Sequence, residues 1–553
     1  MEVPPVSEQW YDQAVVYCVD VELFADSNDD GIGDFRGLIG RLDYLSRLGV
    51  TCLWLNPIHP TPNRDDGYDV ADYYAVDPRL GTLGDFAELL HQAENRGIRV
   101  IIDLVVNHSS DQHPWFQDSA ASDDSPYREW YVWSKKEPDD RTQGIVFPGE
   151  QTETWSYHRG AKAWYYHRFY KFQPDFNIAH PAVREEIKKI MGFWLQLGVA
   201  GFRIDAAPFI IEVTEPNKPD PSMDFAFLTE MREYVSWRRG DALLLAEANV
   251  PPEKLPAYFG DNGGSANRIH MLLDFILNDA MVLALARGSA EPIVLALSQT
   301  PTLPPIAQWA TFLRNHDEID LSRLTAEQRD EVFAAFGPDE DMRLYDRGIR
   351  RRLAPMLGGD RRRIELAYSL QFTLRGTPVL RYGEEIGMGD DLSLPGRNAI
   401  RTPMQWSSNP GAGFSAAAET VRPVIDRGPY GYQKVNVTEQ RHDAGSMLGW
   451  FERMIRTLRE SPEVGTGTCT AIDKGFAPGV LVHRADDRTG TMVFLHNLAD
   501  TPAKVDLSEL DADADYPDQV FGDQTYDRPL DLAALDLAGH GYRWIRLCRS
   551  RVG

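Results

Sequence analysis

GFRID, residues 201–205, is a short apolar run that opens on a glycine and closes on a carboxylate, and its form recurs along the chain. TCLWL (51–55), RVIIDLV (99–105), ALLLAE (242–247), IHMLLDF (269–275), WATFLR (309–314) and PVLRY (378–382) share it, and AVVYCVD (14–20) begins the series. Nearly continuous apolar runs of this length read as parallel strands buried on both faces. Helical patterns fall between them. Phe35, Leu38, Ile39, Leu42 and Leu45 recur at helical spacing, Asp85–Arg96 stops at Gly97, and Ala182–Leu197 repeats the pattern. Eight strands alternating with helices predict an α/β fold, a (β/α)8 TIM barrel.

At 553 residues the chain exceeds what one hydrophobic core organises, so further domains are expected. The interval between the third and fourth strands is far longer than a usual βα loop, and its Tyr, Trp, Asp and Ser content predicts an inserted lid domain over the barrel mouth. A Gly/Pro-rich loop (about 387–445) then leads to a helix at Met447–Glu460. Alternating runs at Val480–Arg484, Thr491–Asn497 and Tyr542–Leu547 predict a C-terminal antiparallel β-sandwich. The expected division is barrel 1–107 and 179–462, lid 108–178 and sandwich 463–553.

The formal charge of −26 repels phosphate backbones and anionic lipid, which excludes nucleic acid and membrane surfaces as partners. Cys18, Cys52, Cys469 and Cys548 have neither ligand-like nor disulfide-framework spacing, and MEVPPVSEQWYDQ lacks the basic and apolar regions of a leader. Both point to a reduced, cytoplasmic setting. A homo-oligomer is compatible with all of this. The 13 Trp residues exceed the needs of a minimal core and suit the flat apolar faces of sugars.

In a TIM barrel the chemistry sits at the C-terminal ends of the strands. Asp205 closes GFRID, Glu247 closes ALLLAE and Asp317 follows FLRNH, so three carboxylates converge on one cavity. Burial and mutual repulsion drive their pKa values apart, leaving one protonated near neutrality. Glycoside cleavage uses that division between an ionised nucleophile and a protonated acid. Arg203 lies on the same strand face as Asp205.

GYDVADY (67–73), DLVVNHSSDQHPWF (103–116), GFRIDAAP (201–208), LAEAN (245–249), FLRNHDE (312–318) and RTPMQW (401–406), in this order, resemble the α-amylase superfamily of glycoside hydrolases and transglycosylases. YREWYVWS (127–134), HRFYKFQPDFN (167–177), GIRRRLAPML (348–357) and GYQKVNV (431–437) are most similar to its trehalose synthase branch, isomerases of maltose and trehalose. The resemblance implies no organic cofactor and a small α-glucoside substrate. It implies Asp205 as nucleophile, Glu247 as general acid and base, and Asp317 as binder of the sugar hydroxyls. Around the non-reducing glucose it places Asp65, Tyr68, His108, Phe169, Gln173, Arg203, His316 and Arg401. A hydrolytic α-glucosidase, or a transglucosylase for another small acceptor, shares the same donor site.

DSNDDGIGD puts oxygen donors on alternate residues around a Gly turn, with Asp26, Asn28, Asp30, Asp34 and the Ile32 carbonyl as ligands of a structural Ca²⁺ or Mg²⁺. The resemblance implies a second cation between Asn107, Asp175, Glu212 and the carbonyls of Phe209 and Ile210. In the resembled family a lid Arg closes toward the residues here numbered Glu318 and Asn249. This chain has Gly144 there, with Arg141 nearby as a substitute. Val250, Pro251, Asp274 and Asn398 also depart from the family pattern, and they border the acceptor side or its support.

Overall fold

The computed structural model describes residues 9–214, 221–260, 266–488, 490–513, 516–526 and 530–548. Residues 1–8, where the leader argument began, lie outside them. The eight apolar runs form β1 (Val16–Val19), β2 (Cys52–Leu55), β3 (Arg99–Leu104), β4 (Gly201–Ile204), β5 (Leu243–Ala246), β6 (Met271–Leu273), β7 (Gln308–Thr311) and β8 (Thr377–Arg381). Each pairs in parallel with its chain neighbours, and β8 closes on β1 through Val16 opposite Val379. Glycine opens GFRID because β4 and β5 approach closely: a Cβ on Gly201 would meet the Leu243 carbonyl oxygen at 2.2 Å. Val16, Cys18, Cys52, Trp54, Ile101, Leu243, Leu245, Met271 and Leu273 fill the barrel interior, and a larger apolar shell binds the outer helices to the strands.

The helices differ from the sequence pattern at their starts. The run from Phe35 splits into Phe35–Ile39, capped by Asp34, and Leu42–Leu48, with Gly40 between them. The next helix spans Leu83–Glu94 and begins two residues before Asp85, because Thr82 and Asp85 form a reciprocal capping box. Pro181–Leu197 ends on Gly198 in the left-handed conformation, the usual helix stop.

Between β3 and β4, Trp133–Ser134, Ala163–Tyr166 and Trp155–His158 make a three-stranded antiparallel sheet. Single bridges from His108 to Asp175 and from Tyr131 to Phe176 stitch the beginning of this insertion to its end. After the helix Met447–Arg459, five antiparallel strands lie in the order 468–471, 480–486, 491–497, 542–548 and 516–522. A two-stranded sheet, Ala503–Val505 with Leu535–Leu537, covers one face through Val482, Val493, Leu495, Ile545 and Leu547. The other face meets the barrel, where Trp544 Nε1 donates to Ser369 Oγ at 2.8 Å. Among the described residues no helix is long and apolar enough to cross a membrane.

Candidate active site

The site is organised by one guanidinium. Arg203, fully buried on β4, donates through Nη1 to Asp205 Oδ1 at 2.5 Å and to Asp103 Oδ1 at 3.0 Å, and through Nη2 to Glu247 Oε2. The parallel ladder dictates this meeting: Asp103 is the register partner of Arg203 across β3 and β4, while Asp205 and Glu247 each stand one residue past a strand end. Tyr68 OH donates to Asp103 Oδ2 at 3.0 Å and lies 2.6 Å from His316 Nε2, whose ring stacks on the Tyr68 ring. A guanidinium shared among three carboxylates leaves none fully neutralised, and all are thereby held in place.

Asp317 lies opposite. Its Oδ1 receives Arg401 Nη2 at 2.8 Å and Arg397 Nη1 at 3.0 Å, and its Oδ2 lies 3.1 Å from His316 Nε2. These carboxylates open onto a cavity of about 400 Å³ whose walls include Asp65, Tyr68, His108, Phe169, Asp205, Glu247, Asn249, Asp317 and Glu318. Its polar groups sit among aromatic rings and point inward, which suits a polyhydroxylated ligand with apolar faces.

Electrostatics separate the acids. Burial pushes Asp205 up to about 6 and Glu247 up to about 7, against the pull of Arg203 on both. Burial also works against the Asp317 carboxylate, but the Arg397 and Arg401 guanidinia outweigh it and hold the group well below the usual range. Asp317 is therefore the most acidic of the three and Glu247 the one best placed to carry a proton near neutrality. Burial brings His108 down to about 4 and His316 well below its ordinary value, so both imidazoles are neutral.

The model of the α-amylase catalytic domain matches residues 20–335 and 349–467. The chain belongs to the α-amylase family. Similar α-amylase relatives include the trehalose synthase/amylase TreS of Mycobacterium tuberculosis, 40% identical and covering 99% of this chain and 92% of that protein. The trehalose synthase of Pimelobacter is 39% identical, with 98% of this chain and 96% of that protein covered. Among solved structures, the α-amylase from H. orenii superposes with a TM-score of 0.77 at 27% identity, covering 96% of this chain and 99% of that one. As a member of the α-amylase family the chain is an enzyme of α-glucosidic bonds.

Of the residues expected at an α-amylase donor site, Arg203, His316, Arg401 and Gln173 stand behind the cavity wall. Gln173 donates to Asp65 Oδ2 at 2.7 Å, and Arg401 holds Asp66 together with Asp317. His108 Nε2 lies 3.0 Å from the Tyr68 carbonyl oxygen, and Phe169 packs edge-on against the His108 ring. Glu318 receives Arg397 Nε at 2.7 Å, and Asn249 donates to Asp320 and Ser322 at 3.1 Å each. Asp274 caps the helix after β6 and pairs with Arg375 at 2.8 Å, a structural role. Arg141 does not reach the cavity: it lies over Trp164 and pairs with Glu153 at 3.2 Å. Gly144 is glycine for a local reason, since it is left-handed and a Cβ there would meet Arg168 Nη1 at 2.0 Å. Asp103, Arg397, Phe147, Tyr345 and Arg347 are site residues that the sequence reading did not single out.

The two cation sets differ. In the 26–34 loop, Asp26 accepts the amides of Asn28, Asp29 and Gly31, Asp30 accepts that of Ile32, and Asn28 Nδ2 donates to Asp30 at 3.0 Å. The loop is thus wound around its own oxygens, and Asp26, Asn28, Asp30 and the Ile32 carbonyl are hard donors suited to Ca²⁺ or Mg²⁺. Asp34 is turned away, with both oxygens taken by Ser27 and the Gly37 amide. In the second set a cation is already present, because the Arg168 guanidinium sits on Glu212 while its main-chain N–H donates to Asp175 at 2.9 Å. Asn107 hydrogen-bonds the Asp175 side chain and the Phe209 ring lies 4.6 Å from the Arg168 guanidinium, and the set does not fit a metal in this arrangement. Among the described residues no group of three or more His, Cys, Asp or Glu side chains is arranged as a metal centre.

Proposed function

We propose that this enzyme interconverts maltose and trehalose by retaining, intramolecular α-glucosyl transfer, with hydrolysis as a side reaction. The observation that carries the reading is the likeness to proteins named trehalose synthases along nearly the whole chain, supported by Asp205, Glu247 and Asp317 lining one cavity. Asp205, the more acidic of the strand-end pair, attacks the anomeric carbon as Glu247 passes its proton to the departing glycosidic oxygen. The C1–O bond breaks and a C1 ester of Asp205 forms. Glu247, now a carboxylate, takes the proton of the incoming hydroxyl as that oxygen bonds C1 and the ester breaks. If the incoming group is the anomeric hydroxyl of the released glucose, maltose becomes trehalose; if it is water, free glucose leaves. Two acids on the terminal nitrogens of one guanidinium are close-set, which favours retention over the wider spacing, roughly 6.5–9.5 Å, of inverting pairs.

Asp317 stays ionised and binds sugar hydroxyls, favouring ring distortion. Asp65, Tyr68, His108 and Phe169 contact the non-reducing glucose, supported from behind by Gln173, Arg203, His316 and Arg401. Asn249 and Glu318 face the acceptor. The insertion 108–178 serves as lid, the barrel comprises 1–107 and 179–462, and 463–553 is the β-sandwich. A Ca²⁺ or Mg²⁺ at Asp26, Asn28, Asp30 and the Ile32 carbonyl would fix the loop that follows β1. Four free cysteines, two of them buried, suit a cytoplasmic enzyme.

Incubation with maltose, following trehalose and glucose separately by chromatography, tests the reading. Trehalose is the expected main product. Glucose without trehalose would make the enzyme an α-glucosidase on the same frame.

A further inference from the structure

The cavity is roofed by a strap of the insertion, residues 144–147 (GIVF), and this strap is held from the barrel side. Arg347 Nη2 donates to the Val146 carbonyl at 3.0 Å, and its Nε lies 3.3 Å from Asp320 Oδ1. Asp320 in turn accepts from Asn249, two residues beyond Glu247. A continuous polar chain therefore joins the loop of the acid to the roof of the cavity. Beside it, the Phe147 and Tyr345 rings stack at 4.7 Å, and the Arg397 guanidinium packs against both, at 5.2 and 5.5 Å.

The element that presents Arg347 is strained. Arg343–Leu344 and Gly348–Ile349 form a hairpin whose tip sets Tyr345 and Asp346 consecutively in the left-handed region, at φ +54° and +56°. A left-handed non-glycine residue costs on the order of 1–3 kcal/mol and persists where its surroundings over-determine it. Here the surroundings are the strap: Tyr345 packs on Phe147 and Arg347 bonds Val146. The tip also falls in the stretch between the two segments matched by the α-amylase model.

We propose that Arg347 is a positioning residue that holds the strap closed over the glucosyl-enzyme, and that it thereby sets the partition between water and a sugar hydroxyl as acceptor. The proposal rests on the retaining transfer described above. Once the C1–Asp205 ester has formed, both acceptors give up a proton to Glu247, and they differ in access. A closed strap keeps the released sugar in and bulk water out. The anchor needs no cation on the strap itself, which accounts for a lid that carries Gly144.

The test uses the full-length enzyme with 4-nitrophenyl α-D-glucoside as donor and excess glucose as acceptor. Nitrophenol counts every cleavage, donor-derived glucose (isotopically labelled) counts hydrolysis, and the disaccharide counts transfer. Arg347→Ala should raise the hydrolysis-to-transfer ratio about tenfold, the effect of losing one charge-assisted hydrogen bond from the closed state. Arg347→Lys, which can still donate to Val146, should recover most of the wild-type ratio. Hydrogen exchange of a peptide spanning 144–147 should accelerate in the Ala variant, while peptides from the barrel strands stay protected. A ratio within twofold of wild type in Arg347→Ala, or unchanged exchange of the strap, overturns the proposal. The ratio is defined whichever disaccharide forms, so an enzyme that makes no trehalose removes the isomerase reading and leaves Arg347 to be judged on the partition.

Discussion

Replacing Glu247 by Gln isolates the cost of keeping a carboxylate on the Arg203 clamp. Burial lifts this group from its ordinary 4.5 to about 7. At 1.36 kcal/mol per pH unit the gap corresponds to about 3 kcal/mol. The side chain is 28% exposed toward the cavity, so solvent screening reduces the figure to about 2 kcal/mol. The sign follows from the direction of the shift. A carboxyl raised on folding contributes stability that is fully present below about pH 4.5 and is lost as pH rises through about 7. Gln never ionises and escapes that loss. The variant should match the wild type near pH 4.5 and exceed it by about 2 kcal/mol at pH 8, a rise of about 2 °C in Tm for a chain of this length. Scanning calorimetry at one scan rate across this pH range is the assay, since large proteins seldom unfold reversibly. An offset independent of pH, or a variant less stable than the wild type at pH 8, refutes the idea that burial dominates at Glu247. The same variant should lose about 10²–10⁴ in kcat on maltose, the range for removing a general acid and base.

With Asp205 near 6 and Glu247 near 7, kcat/KM for maltose should trace a narrow bell that rises through about pH 6 and falls above about pH 7, both limbs belonging to the coupled pair; a rate flat from pH 5 to 9 contradicts the assignment. Asp205→Asn should lower turnover by about 10⁴-fold or more with circular dichroism unchanged, and a variant retaining a tenth of the activity removes Asp205 as nucleophile. Saturating Ca²⁺ or Mg²⁺ at 100 times its Kd should add about 2.7 kcal/mol of stability. Asp30→Ala should abolish that gain, and identical melting in chelator and in Ca²⁺ or Mg²⁺ counts against the 26–34 loop as a cation site.

The barrel was legible because its strands are buried on both faces, so apolar runs such as TCLWL and ALLLAE could be nothing else at that spacing. The strand-end acids followed from the barrel. Asp103 was legible too, by a step not taken: Arg203 points inward, side chains alternate, and the register partner of an inward charge on the next strand must itself face inward. Attention to strand ends passed over it because it lies inside RVIIDLV. Arg397 and Arg347 were beyond reach for a different reason. Both sit on long connections whose course is decided by distant contacts, Arg397 by Asp317 and Glu318, Arg347 by Val146 some two hundred residues away. No period or capping rule anticipates a tip that holds Tyr345 and Asp346 left-handed, since turn chemistry would ask for Asn or Gly there. Gly144 shows the converse error. Read alone it is a missing arginine, yet the space beside it is filled by Arg168, which binds the Gly144 carbonyl at 3.2 Å and neutralises Glu212. Arg168 thus ties the strap's first residue to Glu212 from one side, while Arg347 holds Val146 from the other, so both supports of this short segment are arginines that lie outside it.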